Sequence, residues 1–356
     1  MTWLTWRQFR GAAVTMSAVL VAFTAFLALS GPELASDYST GVTACTLSGD
    51  CASFFDRFFD EYEIPFLAVT VTVLVLPGLL GLFWGAPLIT RELEGGTHLM
   101  VWSQSVTRAR WLAVKLALTG LAAMTAAGLC GLAVTWWSAP LDKSAAAGFA
   151  LMDPLVFGAR GIVPMGYAAF ALVLGVTVGM LVRRTLSAMA VTLIVFTALQ
   201  IAMPLMVRPH LLPPVRSSFE LDTSNVDAIS SPPGGESARV SLDPAIPGHP
   251  GAWVLSSRLL DPSGRPAAAD AGGAAVPVSL TSGPCGPSER TEQAARAGHA
   301  MDPCLAEINR LGYRQEATYQ PFDRFWLFQW IETGVYALLT LGVTGFCFWW
   351  IRRRMS

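Results

Sequence analysis

Charged residues are scarce in this sequence, and motifs that bind nucleotide phosphates are missing. Only 14% of the residues are charged, against about 25% in soluble domains, and 53% are hydrophobic. No G-x-x-x-x-G-K-[ST] run occurs, so the chain has no P-loop of its own. Cysteine spacings typical of zinc or haem sites, G-x-S-x-G and H-E-x-x-H runs, and repeats of about 20 to 50 residues are also missing. The sequence therefore predicts neither a soluble enzyme of these classes nor a repeat fold.

Long stretches without charge take the place of these features. A helix needs about 20 apolar residues to cross the hydrocarbon core, and the alternation typical of barrel strands does not occur. Five of the six stretches contain no Asp, Glu, Lys or Arg, and the last contains only Glu332. We therefore expect an all-α polytopic protein of the plasma membrane with six transmembrane helices. The stretches are 11–29, 64–89, 116–141, 161–182, 185–207 and 325–351.

Basic residues are distributed unevenly between these stretches. If the N terminus is cytoplasmic, eleven basic residues in short segments fall inside and three fall outside. The positive-inside rule therefore predicts that both termini are cytoplasmic. The first stretch also has the form of a secretory signal, since Arg7 and Arg10 precede an apolar run. Its 19 residues favour a membrane anchor over a cleaved segment.

Proline is concentrated in one segment. Fifteen of the 23 prolines lie within 208–325, and such a composition favours turns and short strands over long helices. We expect strands at 237–242 and 252–260, a helix at 301–313 and a mobile loop at about 261–300. The predicted parts are a membrane domain (1–207) with a cytoplasmic coupling loop (86–115), a small mixed α/β extracellular insertion (208–324), and a last helix with a basic tail (325–356).

Four of the six cysteines fall in segments that this topology places outside the cytoplasm, where thiols can oxidise and remain paired. Cys45 and Cys51 lie in the acidic first outside loop (31–64), and Cys285 and Cys304 lie in the insertion. We predict a disulfide within each pair, with four free thiols as the alternative. The other two are expected to be small core residues: Cys130 and Cys347.

The segment 85–116, GAPLITRELEGGTHLMVWSQSVTRARWLAVKL, carries the most specific pattern in the chain. An acidic run with two glycines and a threonine follows the second stretch, then a Q-S-V-x-R-x-R-W run, then a lysine that opens the third stretch. In residue type and spacing this pattern resembles the corresponding loop of ABC-2 type transporter permeases. The matching residues are Glu92, Glu94, Gly95, Gly96, Thr97, Gln104, Ser105, Val106, Arg108, Arg110, Trp111 and Lys115.

A second segment carries the same resemblance. The run YQPFDRFWLFQWIE at 319–332 resembles the stretch before the last helix of actinobacterial ABC-2 permeases that have a large extracellular loop. The resemblance implies a permease subunit that forms a homodimer and works with cytoplasmic P-loop ATPase subunits. It implies no cofactor of the chain's own, since the partner would bind ATP. The implied partners are the ATPase, a second copy of the chain and membrane lipids, and no nucleic acid.

The resemblance also assigns coupling to the ATPase to the loop 86–115. This loop holds the only acidic residues on the predicted cytoplasmic side, a glycine pair that permits a sharp turn, and arginines suited to lipid headgroups or to a partner. The alternative is a solvated loop with basic anchors. The expected ATPase-coupling residues are Arg91, Glu92, Glu94, Gly95, Gly96, Arg108 and Arg110.

Glycine and proline occur at particular positions in the spans. The G-x-x-x-G spacings at 81–85 and 175–179 allow two helix backbones to approach closely, and we expect packing within the chain over a dimer contact. Pro77, Pro164 and Pro204 should bend or locally open the second, fourth and fifth helices. Such bends can serve as hinges or as simple packing kinks.

Glu332 is the one ionisable residue inside a predicted span. A charge in lipid is costly, so such an intramembrane acid usually faces a cavity or a partner. Glu332 lies seven residues after Phe325, roughly 10 Å along a helix. Hydration at the membrane interface is therefore the alternative to a role in a transport pathway.

These features predict a permease subunit, not itself an enzyme, that exports a lipophilic or amphipathic substrate with energy from a separate ATPase. Scarce charge in the spans favours such a substrate over a small ion. The alternative is a non-transporting membrane sensor or envelope assembly factor that uses the extracellular insertion. A membrane-embedded enzyme would need clustered His, Asp or Glu in the spans, and only Glu332 is present there.

Overall fold

Among the residues that the computed structural model describes, six helices are long and apolar enough to cross a membrane, which confirms the six predicted spans. The structure describes residues 2–48, 51–96, 107–144, 149–231, 238–270, 272–286 and 301–353. The first to sixth membrane helices are Thr2–Ser48; Ala52–Leu80, continued by Gly81–Gly85 and Ala86–Glu94; Arg108–Ser138; Val163–Val182; Thr185–Ala202, continued by Met203–Val207 and Arg208–His210; and Phe325–Arg353.

The first two helices extend well beyond the membrane. The first has 47 residues and is therefore roughly 70 Å long, more than twice the hydrocarbon thickness of about 30 Å. The acidic segment 31–64, expected as a loop, is instead a helical hairpin interrupted between Ser48 and Ala52. The expectation of a loop there was wrong.

Covalent and aromatic contacts hold this hairpin together outside the apolar stretches. Cys45, near the end of the first helix, and Cys51, just before the second, are joined by a disulfide. The ring of Tyr38 lies 5.6 Å from that of Phe58 across the two helices. The Tyr62 hydroxyl donates a hydrogen bond of 2.9 Å to Asp37. These contacts, which hydropathy does not reveal, let both helices continue beyond lipid.

The fourth membrane helix is the centre of the membrane domain. In its most apolar window 78% of the residues are buried, compared with 11% in the first helix and 17% in the fifth and sixth. It packs against the second, third, fifth and sixth helices. Four of the other five membrane helices therefore pack directly on this one.

Glycine permits the close contact between the second and fourth helices. The π turn Gly81–Gly85 in the second helix faces Gly175 in the fourth, and Gly179 faces Ala86 and Thr90, which follow the π turn. A Cβ atom placed on Gly81 would lie only 2.5 Å from the carbonyl oxygen of Ala171, so no larger residue fits without movement. Both G-x-x-x-G spacings thus mark packing within the chain, as expected.

Of the three prolines that were expected to bend helices, two accompany π turns and the third begins a helix. Pro77 lies one turn before Gly81–Gly85, and Pro204 lies within Met203–Val207. Pro164 was expected to bend the fourth helix, and this was wrong. It occupies the first turn, where its missing N–H removes no helical hydrogen bond.

The segment between the fifth and sixth membrane helices folds around two antiparallel sheets. One has the strand order β1-β7-β4 and the other β2-β3-β6-β5. The helix Asp302–Arg310 contributes Leu305 and Ile308 to an apolar core that it shares with the second sheet. The strands are β1 Val215–Phe219, β2 Val226–Ser230, β3 Ala238–Leu242, β4 Trp253–Leu260, β5 Ala269–Asp270, β6 Gly273–Val276 and β7 Arg314–Gln320.

The sequence found β3, β4 and the short helix of this insertion and missed its other strands. The region 261–300, expected as a mobile loop, contains β5, β6 and the 3-10 turn Gly283–Cys285. Residues 271 and 287–300 lie outside the described residues. β5 and β6 are only two and four residues long and rich in alanine and glycine, so their sequences show no alternation of apolar and polar residues. Pairing with β3 supplies the hydrogen bonds that hold β6 in place.

Both predicted cysteine pairs lie at bonding distance. The Cα atoms of Cys45 and Cys51 are 4.8 Å apart, and those of Cys285 and Cys304 are 4.4 Å apart. The second bond ties the 3-10 turn to the helix Asp302–Arg310. The remaining cysteines are free and buried, as expected of core residues: Cys130 and Cys347.

Replacing Gly175 with alanine should destabilise the protein, whereas the same change at Gly342 should not. A Cβ atom on Gly175 would lie 2.8 Å from the backbone nitrogen of Ala86, while Gly342 has nothing within 4 Å. Overpacking typically costs about 1 to 3 kcal/mol, and alanine otherwise stabilises a helix relative to glycine. Thermal unfolding in detergent should show a lower midpoint for Gly175→Ala only. Equal midpoints would show that the second helix does not depend on this close contact.

Candidate functional site

A buried lysine–glutamate pair braces the second membrane helix against the third. Lys115 Nζ donates a hydrogen bond of 2.5 Å to Glu92 Oε1 and another of 3.3 Å to the Leu88 carbonyl. Neither side chain is more than 10% exposed. Lys115 Nζ also lies 4.7 Å from the ring centroid of Trp111, where a cation–π attraction adds to the pair. The helix Ala86–Glu94 is therefore fixed to the third helix.

Glu94 binds the start of the fifth membrane helix. Its carboxylate accepts hydrogen bonds from the Thr185 backbone N–H at 2.8 Å and from Thr185 Oγ1 at 2.7 Å. A carboxylate is stabilised at a helix N-terminus, where backbone N–H groups lack partners within the helix. The second helix ends at the next residues, since Gly95 N–H closes the last turn on the Arg91 carbonyl at 3.1 Å. Gly96 then turns the chain at φ +68°, a conformation that favours glycine.

The structure separates the expected coupling residues into braced and outward-facing groups. Glu92 is buried, and Glu94, although exposed, is held by Thr185. Arg91 and Arg110 are exposed, and Arg108 is half-buried at the start of the third helix. Apart from Glu94, the exposed charges among the expected coupling residues are therefore basic. Four residues of the pattern lie outside the described residues: Thr97, Gln104, Ser105 and Val106.

A second buried ion pair lies at the opposite ends of the membrane helices. Arg208, in the 3-10 turn that ends the fifth helix, donates from Nε to Glu332 Oε2 at 2.8 Å and from Nη2 to Oε1 at 3.1 Å. The side chains are 1% and 0% exposed. Tyr167 of the fourth helix donates its hydroxyl to the same carboxylate. Three membrane helices therefore meet at Glu332.

We call the pair of Arg208 with Glu332 the outer pair. Aromatic rings and a glutamine enclose it. The Arg208 guanidinium carbon lies 4.2 Å from the ring centroid of Phe157 and 5.8 Å from that of Trp253, the first residue of β4. Gln329 of the sixth helix accepts the N–H of Val163 at 3.1 Å, so it caps the fourth helix from outside. The outer pair thus connects the membrane helices with a sheet of the insertion.

The sequence identified Glu332 but not its partners. Complete burial overturns the alternative of hydration at the membrane interface. Arg208 was assigned to the insertion because the charge-free stretch stops at Val207, and Tyr167 carried no sequence signal. Charge balance was the usable signal, since an acid within a span needs a cation and Arg208 directly follows a span.

Comparison with protein families matches residues 17–208 to the family described as ABC-2 membrane transporter related. The match covers more than half of the 356-residue chain and extends from the first membrane helix to Arg208. The chain belongs to this family. Searches among curated proteins and among solved structures found no match.

As a member of the ABC-2 membrane transporter related family, the chain is a transporter permease subunit and a multi-pass plasma-membrane protein. The family consists of membrane subunits without an ATPase motif, in agreement with the sequence. The matched region contains Glu92, Lys115 and Arg208 but ends before Glu332. The outer ion pair therefore joins the family region to the sixth helix beyond it.

Removing one member of the outer pair should destabilise this ABC-2 protein more than removing both. Glu332→Gln leaves the Arg208 guanidinium buried without a counter-charge, which typically costs about 3 to 5 kcal/mol. The double variant Arg208→Gln with Glu332→Gln removes both charges and should recover much of the loss. Thermal unfolding of the purified proteins in one detergent would measure the difference.

Arg258→Gln is the matched control for this comparison. Arg258 Nη2 pairs with Glu316 Oε2 at 2.5 Å on the partly exposed surface of the first sheet. Such pairs contribute about 0 to 1 kcal/mol, so the midpoint should stay near that of the unmodified protein. A Glu332→Gln protein that unfolds like this control, or a double variant no more stable than the single one, would contradict the role given to the outer pair.

Proposed function

We propose that this permease subunit works as a homodimer with separate cytoplasmic P-loop ATPase subunits and exports a lipophilic or amphipathic substrate. The observation that carries the proposal is the family match over residues 17–208 in a chain whose sequence contains no P-loop. A transporter permease without a nucleotide site must take energy from another polypeptide if ATP drives it. The ATPase is then the required partner.

The loop between the second and third membrane helices is the proposed contact with the ATPase. Its base is braced by the pair of Glu92 with Lys115, and Glu94 ties it to the fifth helix. These carboxylates are positioning residues in the proposal. Arg91 and Arg110, which are exposed, supply positive charge for acidic groups on the partner. Because the base is rigid, a push on the loop would move three membrane helices together.

An apolar groove in the membrane domain supports a lipophilic or amphipathic cargo. It has a volume of about 330 Å³ and lies between the third, fourth and sixth helices. Aliphatic side chains with two threonines suit an acyl chain or the apolar part of an amphipathic molecule. Residues on its wall include Leu116, Leu121, Met124, Val173, Thr340 and Thr344.

The distribution of charge and burial supports the proposed topology and partners. The excess of basic residues in the short segments favours cytoplasmic termini, with the loop that carries Arg91 and Arg110 on the same side and the sheets outside. The first, fifth and sixth helices are mostly unburied within one chain. Lipids and a second copy are the proposed neighbours of these surfaces.

Reversing the charge of the exposed residues Arg91 and Arg110 should release the ATPase from the permease. We expect a P-loop ATPase to copurify in a fixed ratio with the tagged protein from native membranes in mild detergent. The double variant Arg91→Glu with Arg110→Glu should retain at least roughly tenfold less ATPase, since like charges across an interface cost several kcal/mol. Quantitative mass spectrometry of the eluted complexes measures the ratio.

Arg352→Glu is the control, because it makes the same charge change at an exposed residue near the end of the sixth helix. It should keep the ATPase. If the arginine double variant also keeps it, the docking surface is wrong while the transporter assignment stands. If no ATPase copurifies with the unmodified protein under any condition, the pairing itself is contradicted, and the sensor or assembly function becomes the better assignment.

A further inference from the structure

A cavity of about 330 Å³ lies where the linker between the third and fourth membrane helices meets the insertion. Asp142, Lys143 and Asp153 line it from the linker, and Ser224 and the segment 244–252 line it from the insertion. We call it the junction cavity. Its volume falls within the range that holds small organic ligands, about 300 to 1,000 Å³.

One of its two carboxylates already has a counter-charge. Asp142 Oδ1 lies 3.4 Å from Arg160 Nη2, and Asp142 Oδ2 accepts a hydrogen bond of 2.9 Å from Ser138 Oγ. Arg160 is 1% exposed, so its charge is directed to this partner within the fold. Asp142 and Arg160 together add little net charge to the junction cavity.

The other carboxylate, Asp153, has no counter-charge in the described part of the chain. Asp153 Oδ2 accepts a hydrogen bond of 2.7 Å from the Ala150 N–H, which is the polar contact of this side chain among the described residues. Lys143 Nζ lies 5.9 Å from the ring centroid of Tyr38 and forms no ion pair with Asp153. Burial raises the pKa of Asp153 to about 6, and the hydrogen bond offsets only part of this effect. At neutral pH Asp153 is therefore mostly ionised, partly desolvated and uncompensated.

We propose that the junction cavity binds an organic cation, through a primary ammonium or guanidinium group that pairs with the Asp153 carboxylate. A metal ion fits poorly, because the described residues contain no group of three or more His, Cys, Asp or Glu able to hold one. An anion would meet the uncompensated Asp153 carboxylate, while Lys143 on the same wall lies over the Tyr38 ring. The wall PAIPGHPGA at 244–252 offers Ile246, several prolines and the His249 ring to the carbon chain of the ligand.

A bound cation joins the insertion to the membrane helices, because the walls of the junction cavity come from both. The His249 ring lies 5.2 Å from that of Tyr319 in β7 and 6.2 Å from that of Phe219 in β1, so the first sheet positions it. Asp153 directly precedes the short helix Pro154–Phe157, whose last ring packs on Arg208. This site is separate from the apolar groove and does not depend on the proposed ATPase pairing.

Calorimetric titration of the full-length protein in lipid nanodiscs tests the proposal. The probes are 1,4-diaminobutane and agmatine, which carry ammonium and guanidinium groups, and 1,4-butanediol is the neutral analogue. We expect saturable binding of at least one cationic probe and none of the diol. Asp153→Asn should weaken that binding roughly tenfold or more, the effect of one charge-assisted hydrogen bond.

Two further variants test whether binding depends on the Asp153 carboxylate and on the space inside the junction cavity. Asp243→Asn removes a partly buried carboxylate adjacent to the 244–252 wall, and it should change the affinity less than twofold. Ser224→Phe fills the junction cavity from the insertion side and should abolish binding while Asp153 remains intact. Asp153→Asn keeps an acceptor oxygen for the Ala150 N–H, so the linker should stay folded, and thermal unfolding of each variant checks this.

Three results would overturn the proposal. The first is that neither cationic probe binds at millimolar concentration, or that the diol binds equally well. The second is that Asp153→Asn binds like the unmodified protein. The third is that Asp243→Asn weakens binding as much as Asp153→Asn does, since the attraction would then come from the general negative charge of the region and not from a site.

Discussion

Backbone contact between the second and fourth membrane helices is the constraint on which the rest of the membrane domain depends. Lipid provides no hydrophobic drive between helices, so close van der Waals packing must hold them. The π turn Gly81–Gly85 and its facing glycine Gly175 bring main chain against main chain at the centre of the domain. With the fourth helix held in this position, the third, fifth and sixth helices can each pack on one of its other sides.

Two buried ion pairs then fix where the surrounding helices end. Glu92 and Lys115 are 23 residues apart in sequence, and Arg208 and Glu332 are 124 apart, so each pair joins different helices. A charge left without its partner in these apolar surroundings would be costly. Sliding or rotation of one helix alone is therefore opposed at both ends of the domain. The end with Glu92 and Lys115 carries the loop between the second and third membrane helices. The end with Arg208 and Glu332 carries the insertion.

The insertion is attached to the membrane helices at several points, not by its two linkers alone. Gln320 Nε2 donates to the Leu212 carbonyl at 2.9 Å, and Arg324 Nη1 donates to the Pro213 carbonyl at 2.7 Å. Trp253 of β4 approaches Arg208 directly. These contacts converge on the ends of the fifth and sixth helices, so they hold the first sheet against the outer ion pair. A ligand in the junction cavity would add a further tie to the linker after the third helix.

The sequence by itself determined the features that depend on local composition. Charge-free runs of about 20 residues must be helical in lipid, so all six spans could be predicted, and the family pattern lies in one continuous segment. Only the tertiary structure decided which distant residues meet. Nothing in hydropathy or spacing joins Arg208 to Glu332, or pairs β6 with β3, because the fold brings these residues together from far apart. Burial likewise turned Glu92 from an expected surface contact into a brace, since the exposure of a side chain depends on what packs over it.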